Sequence, residues 1–132
     1  MEPTRWLAVA VLLGLPSVAF GGWALLTHIT GKEGLSPAQQ RFFRDGHAHA
    51  GVLLVLSLVY VGYLDETGFS EGLQWAAGLT LLVGVMAQSG GFFLHMAAAD
   101  THSPSAGTKL TRAGALLIGA ALFALAIGLI VA

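Results

Sequence analysis

Residues 36–64 read SPAQQRFFRDGHAHAGVLLVLSLVYVGYL. A helix start, a charged rim and a membrane span follow one another in this one segment. Ser36, Pro37 and Gln39 take the N-cap, N1 and N3 places of a capping box, so a helix begins near residue 37. Arg41, Arg44 and Asp45 ride on its first turns, and from Gly46 to Leu64 no residue carries a formal charge. The predicted helix covers 37–65 and enters the bilayer only partway along. His47 and His49 therefore lie more than two turns inside it, at the membrane edge rather than in a loop.

Three further runs flank this segment. Trp6 to Ile29 has no formal charge, and at about 1.5 Å per residue it exceeds a hydrocarbon core of roughly 30 Å. Its start resembles a signal peptide, with Arg5, an apolar stretch and then Ser17-Val18-Ala19, but the apolar character runs on to Ile29. The expectation is a retained transmembrane helix over about 5–30, with Gly31 as the residue just past its end. Ser70 can cap a third helix over about 71–98, with Glu71 at its positive end. A fourth helix over about 108–131 carries Lys109 and Arg112 at its start and no charge beyond them. Short connections make neighbouring helices antiparallel. The chain is expected to be all-α: one integral membrane domain over 1–132, an antiparallel four-helix bundle with both termini on one side.

Composition agrees. Of 132 residues, 55% are hydrophobic and 10% charged, against about 25% charged in an ordinary soluble domain. Mean hydropathy is +0.76. This is the profile of a multi-pass protein of the cell membrane, with the lipid bilayer as its first partner. The formal net charge of −1 gives no reason to expect nucleic acid or an anionic surface as a partner. The absence of Cys excludes disulfides, Cys-ligated zinc, iron–sulfur clusters and c-type haem attachment. No Ser–His–Asp triad, phosphate loop or zincin motif is present, and no substrate or enzymatic reaction is assigned from the sequence.

Small residues recur at helical spacing. Helix one has Gly14, Ser17, Gly21 and Ala24 and then His28; helix three has Ala77, Gly84, Gln88 and Gly91 and then His95. Helix four repeats Gly107, Gly114, Ala121 and Gly128 every seven residues. Lipid tails give helices little reason to associate, so close packing through such residues must hold a bundle together. These stripes are helix contacts in the plain reading. On helices one and three each ends in a histidine, and small residues beneath a histidine also suit a flat macrocycle. The stripe on helix four is also a surface through which a homodimer or a larger membrane complex could form.

All five histidines, His28, His47, His49, His95 and His102, fall at one end of the expected bundle. Ionisable groups inside apolar runs are costly and mark functional sites. His47 and His49 are roughly 200° apart around their helix, so they serve different directions. His47 has Gly51 at i+4, which leaves room beside its ring, and His49 has Asp45 at i−4, whose carboxylate can orient the imidazole or act as a co-ligand. Arg41, Arg44, Lys109 and Arg112 lie at the same end. They can meet haem propionates through charge-assisted forks, or they can simply set topology. By the positive-inside rule the histidine end is expected to be cytoplasmic; if the basic residues are propionate partners instead, the opposite orientation stays open.

The stretch Arg44-Asp45-Gly46-His47-Ala48-His49-Ala50-Gly51-Val52-Leu53 resembles the start of a haem-ligating helix in the haem–copper oxidase and nitric oxide reductase superfamily, and in related small membrane haem proteins. The resemblance implies that His47 ligates a haem and that Arg44 meets a propionate. The chain departs from the superfamily's catalytic subunits in having four spans, and it lacks the His-His pair of their copper site.

Three functions follow as expectations. The first is haem b binding through His95, His47 and His28, with Arg44, Arg41 and Arg112 on the propionates, for electron transfer, haem handling or gas and redox sensing. The second is a copper, zinc or other ion site built from His28, His47, His49, His95 and Asp45, since imidazole and carboxylate suit several first-row metals. The third is an accessory subunit whose histidines are merely interfacial.

Overall fold

The computed structural model describes residues 2–30, 34–98 and 102–132; the side chains of residues 28–30 lie outside the described part. Four helices account for most of it: α1 (Pro3–Thr30), α2 (Pro37–Leu64), α3 (Glu71–Met96) and α4 (Ala106–Val131). Each is long and apolar enough to cross a membrane. The chain is a multi-pass, all-α membrane bundle.

The helix starts follow their capping residues. The Ser36 hydroxyl accepts from the Gln39 N–H at 3.2 Å, and the Gln39 side chain accepts from the Ser36 N–H at 2.9 Å, which completes the expected box. Ser70 caps α3 by accepting from the Leu73 N–H. The start of α4 differs from expectation. Ser105, with Thr108 at N3, forms a second capping box, so the helix begins at Ala106 rather than Thr108. Between α2 and α3, Asp65–Thr67 form a 3-10 turn that ends at Gly68, whose φ of 62° favours glycine. The proposed end residue Gly31 lies outside the described residues.

The bundle does not close as a square. α3 packs most extensively on α4, then on α2; α1 packs on α2 and, less, on α3, while α1 and α4 stand apart. The main contacts run in chain order from α1 to α4, with lesser ones from α1 to α3 and from α2 to α4. Glycines set the α3–α4 distance. A Cβ on Gly84 would meet Ile118 at 2.9 Å, one on Gly91 would run into Thr111 and the Gly107 carbonyl, and one on Gly114 into the backbone of Gln88 and Gly84. The heptad stripe of α4 is thus buried within the chain, Gly107 and Gly114 against α3 and Gly128 against Phe69 and Thr67, and is not a free face for a second copy.

The buried core sits toward the Asp65 end. Leu7, Tyr60, Val61, Leu64, Leu81, Val85 and Ile118 are among its members. Tyr60 crosses it, donating its hydroxyl to the Ala121 carbonyl at 3.1 Å. At the same end Thr4 donates to the Asp65 carboxylate, at 3.0 and 3.1 Å to its two oxygens, and Leu7 fills the space over Gly78. Past Val11, no described residue of α1 is buried. α1 is therefore pinned at its N-terminal turns and elsewhere lies along α2 through Gly14 on Leu54 and Val18 on Gly51. Cavities open at the histidine end beside Arg41, His95 and His49.

Candidate functional site

His95 occupies the last turn of α3 and is the buried histidine among the described residues, at 9% exposure. Its Nδ1 lies 2.7 Å from the Ser105 hydroxyl and 3.4 Å from that of Thr108. Both hydroxyls also serve the α4 capping box: Ser105 Oγ accepts from the Gly107 N–H at 3.1 Å and Thr108 Oγ1 accepts from the Ser105 N–H at 3.2 Å. The cap that starts α4 is therefore also the bracket that holds the imidazole. Gly107 makes this possible, because a Cβ there would collide with the backbone of Gly91 and His95. Phe42 of α2 meets the ring edge-on, with centroids 4.5 Å apart and planes at 86°.

A cavity of about 300 Å³ opens beside His95, between α2, α3 and α4. Phe42, Phe92 and Gly91 give it apolar walls; Thr108, Thr111 and Arg112 supply polar groups from α4. Its volume lies at the low end of small-molecule sites, and an apolar enclosure with a few convergent polar groups is their usual make-up. Arg112 is itself exposed, so the cavity joins the buried imidazole to the surface of the bundle.

The other candidate residues go elsewhere. The His47 ring lies on the bare backbone of α1: a Cβ on Gly21 would sit 3.1 Å from Nδ1 and one on Gly22 3.3 Å from Nε2. The room beside it comes from these two glycines of another helix, not from Gly51, which meets Val18. His49 points to α3 and lies over Phe92, with centroids 4.8 Å apart at 31°. Its Nδ1 is 2.8 Å from the Asp45 backbone carbonyl. The carbonyl, not the expected carboxylate, thus holds this ring. Since a carbonyl only accepts, Nδ1 is the donor in this contact. His102 is exposed in the loop before α4. The His28 backbone continues α1, but its side chain lies outside the described residues.

The arginines divide in the same way. Arg112 lines the His95 cavity, whereas Arg41 and Arg44 line a separate cleft against α1 with Leu25, Pro37 and Gln40. Among the described residues no group of three or more His, Asp or Glu side chains gathers as a metal site.

No protein-family model, curated protein or solved structure matches the chain. The site is read from its own geometry. Sequence reasoning found His95 and Arg112 but missed Ser105, Thr108 and Thr111. The signal for the first two was the Ser-x-x-Thr spacing at 105–108, a weak capping box that starts the helix two residues earlier than expected. Thr111 carries no local signal, because only the α3–α4 contact brings it to the cavity.

Proposed function

We propose that the chain is a membrane haem b protein in which His95 would ligate the iron and Arg112 would meet a propionate. The supporting observation is the pairing of these two side chains on one largely apolar cavity, walled by Phe42 and Phe92 at the membrane edge. The donor set fits. A haem brings four nitrogen ligands of its own, so the protein need supply only one or two, which suits histidines that stand singly. A bare copper or zinc ion needs three or four protein ligands in one place. The described His and Asp residues offer no such group, so haem is favoured over a bare ion.

The bound group would supply one-electron redox chemistry or binding of a small gas. The chain's own residues would hold and enclose it. The Ser105 and Thr108 hydroxyls orient the ligating ring, as second partners of metal-bound histidines commonly do. Phe42 and Phe92 exclude water, and Arg112 offers a planar fork to a carboxylate. His47 and His49 turn to Gly21, Gly22 and Phe92, so ligation rests on one described histidine. A haem held there would serve electron transfer, haem handling, or gas and redox sensing. The resemblance of Arg44–Leu53 to a haem-ligating helix points instead to His47.

The test is an ultraviolet–visible spectrum and metal analysis on the same purified sample. A Soret band is expected, retained in His47→Ala and lost in His95→Ala, with one iron per bound haem. A Soret band lost in His47→Ala and kept in His95→Ala would move the ligand to α2. Copper or zinc without a Soret band would select the bare-ion reading. A colourless preparation that stays colourless on adding hemin would leave the chain as an accessory subunit of a membrane complex.

A further inference from the structure

The formal net charge of −1 hides a division between the two ends. By sequence, the histidine end carries five basic residues (Lys32, Arg41, Arg44, Lys109, Arg112) and three acidic ones (Glu33, Asp45, Asp100). The other end carries Arg5 against Glu2, Asp65, Glu66 and Glu71. One end of the bundle is positive and the other negative.

The positive end contains a built cleft that the haem reading does not use. It has a volume of about 190 Å³, between the C-terminal part of α1 and the first turns of α2. Leu25 forms its α1 wall, and Arg41 and Arg44, three residues apart on α2, line the opposite side with Gln40. Residues at i and i+3 share a helix face, so the two guanidinium groups approach one space. Neither is joined to a carboxylate among the described residues, Asp45 included, although Asp45 directly follows Arg44 in the chain. Gln40 is already committed, its side-chain N–H donating to the Leu35 carbonyl at 2.9 Å. Two arginines thus share a cleft with an apolar wall and no described counter-charge.

From these observations we infer that the α1–α2 cleft is a binding site for the phosphate of an anionic phospholipid, held by Arg41 and Arg44. Guanidinium forks match phosphate oxygens in pairs. The membrane origin of the ligand follows from the position of the cleft. Leu25 continues the exposed apolar surface of α1 that includes Phe20, Trp23 and Leu26, so a headgroup between the arginines places its acyl chains along a lipid-facing helix. Anionic lipids of a cytoplasmic leaflet attract basic segments at the membrane edge, and the positive-inside rule puts this end on that side.

The experiment is native mass spectrometry of the purified full chain, delipidated and then mixed separately with phosphatidylglycerol and phosphatidylcholine. One retained phosphatidylglycerol per chain is expected, with no comparable retention of phosphatidylcholine. In R41Q/R44Q the retention should fall roughly thirtyfold. Lys109→Gln, which leaves the cleft intact, should keep it. Arg41→Lys with Arg44→Lys, which preserves charge and folding but removes the forks, should give an intermediate loss. Equal retention of the two lipids, or full retention in R41Q/R44Q, overturns the site. Displacement of the lipid by inorganic phosphate at equal concentration overturns the assignment to a lipid. The readout needs no haem, so it stands or falls independently of the His95 reading.

Discussion

The His95 imidazole and the Ser105 hydroxyl, ten residues apart in the chain, meet at 2.7 Å across the loop that joins α3 to α4. The same hydroxyl accepts from the Gly107 N–H, so one oxygen both starts a helix and fixes the buried histidine. Local helix chemistry and the candidate site are coupled through this atom.

Ser105→Ala should therefore have two effects. Loss of the cap costs about 1 kcal/mol of stability. Loss of the ring's partner should weaken haem binding by about 10- to 100-fold, the usual range for such partners of metal-bound histidines. Thermal unfolding in detergent and a hemin titration read the two separately. A variant with a lower melting temperature but unaltered hemin affinity would make Ser105 a cap only.

Gly114→Ala should destabilise the bundle, by about 1–3 kcal/mol, because its new methyl group collides with the backbone of Gln88 and Gly84 rather than with a flexible side chain. Gly119→Ala is the matched control on the same helix. Nothing lies within 4 Å of a Cβ there, so it should be neutral or gain up to about 1 kcal/mol of helix propensity. Parallel melting curves of the two variants check this, and equal shifts would refute the packing argument.

Tyr60→Phe removes a buried donor that reaches the Ala121 carbonyl and should cost about 1 kcal/mol. Ser57→Ala should cost less. Its hydroxyl bonds back to the Leu53 carbonyl within the same helix, and that carbonyl keeps its helical partner. Denaturant or thermal unfolding that ranked the two the other way would contradict the role of Tyr60 as a cross-core tie.

Thr4→Val and Asp65→Ala each break the hydrogen bond that pins the start of α1 to the turn after α2. Asp65 is exposed, so each loss should be modest, about 1 kcal/mol or less. The double variant should cost little more than either single one, because both remove one interaction. Strict additivity in the four-member cycle would show that the contact contributes nothing.

Much of the fold was legible because the bilayer imposes strong rules on sequence. Uncharged runs about as long as the membrane is thick, or longer, marked the four helices, and the Ser36 and Ser70 caps placed two helix starts to the residue. The start of α4 was missed by two residues, since Ser105 lies in a loop rich in Ser and Pro whose local pattern does not separate one serine from the next. The small-residue stripes on helices one, three and four were visible as contacts, but not their partners. The α1 stripe meets α2 at Gly14 and Gly21, and the α4 stripe meets α3 at Gly107 and Gly114.

The sequence by itself determined four spans, their antiparallel order, the gathering of the histidines at one end and the direction in which His47 and His49 diverge. These follow from length, charge and the 3.6-residue period, which are properties of single helices. Only the tertiary structure decided which histidine shares a cavity with an arginine. Helix rotation and the choice of neighbours depend on glycine contacts between segments far apart in the chain, and these put Arg112 with His95 while leaving Arg41 and Arg44 against α1. Five histidines that look equivalent along the chain become one buried ring bracketed by a helix cap, one ring lying on bare glycine backbone and one held by its own helix's carbonyl, with His102 exposed in its loop and the His28 ring outside the described residues.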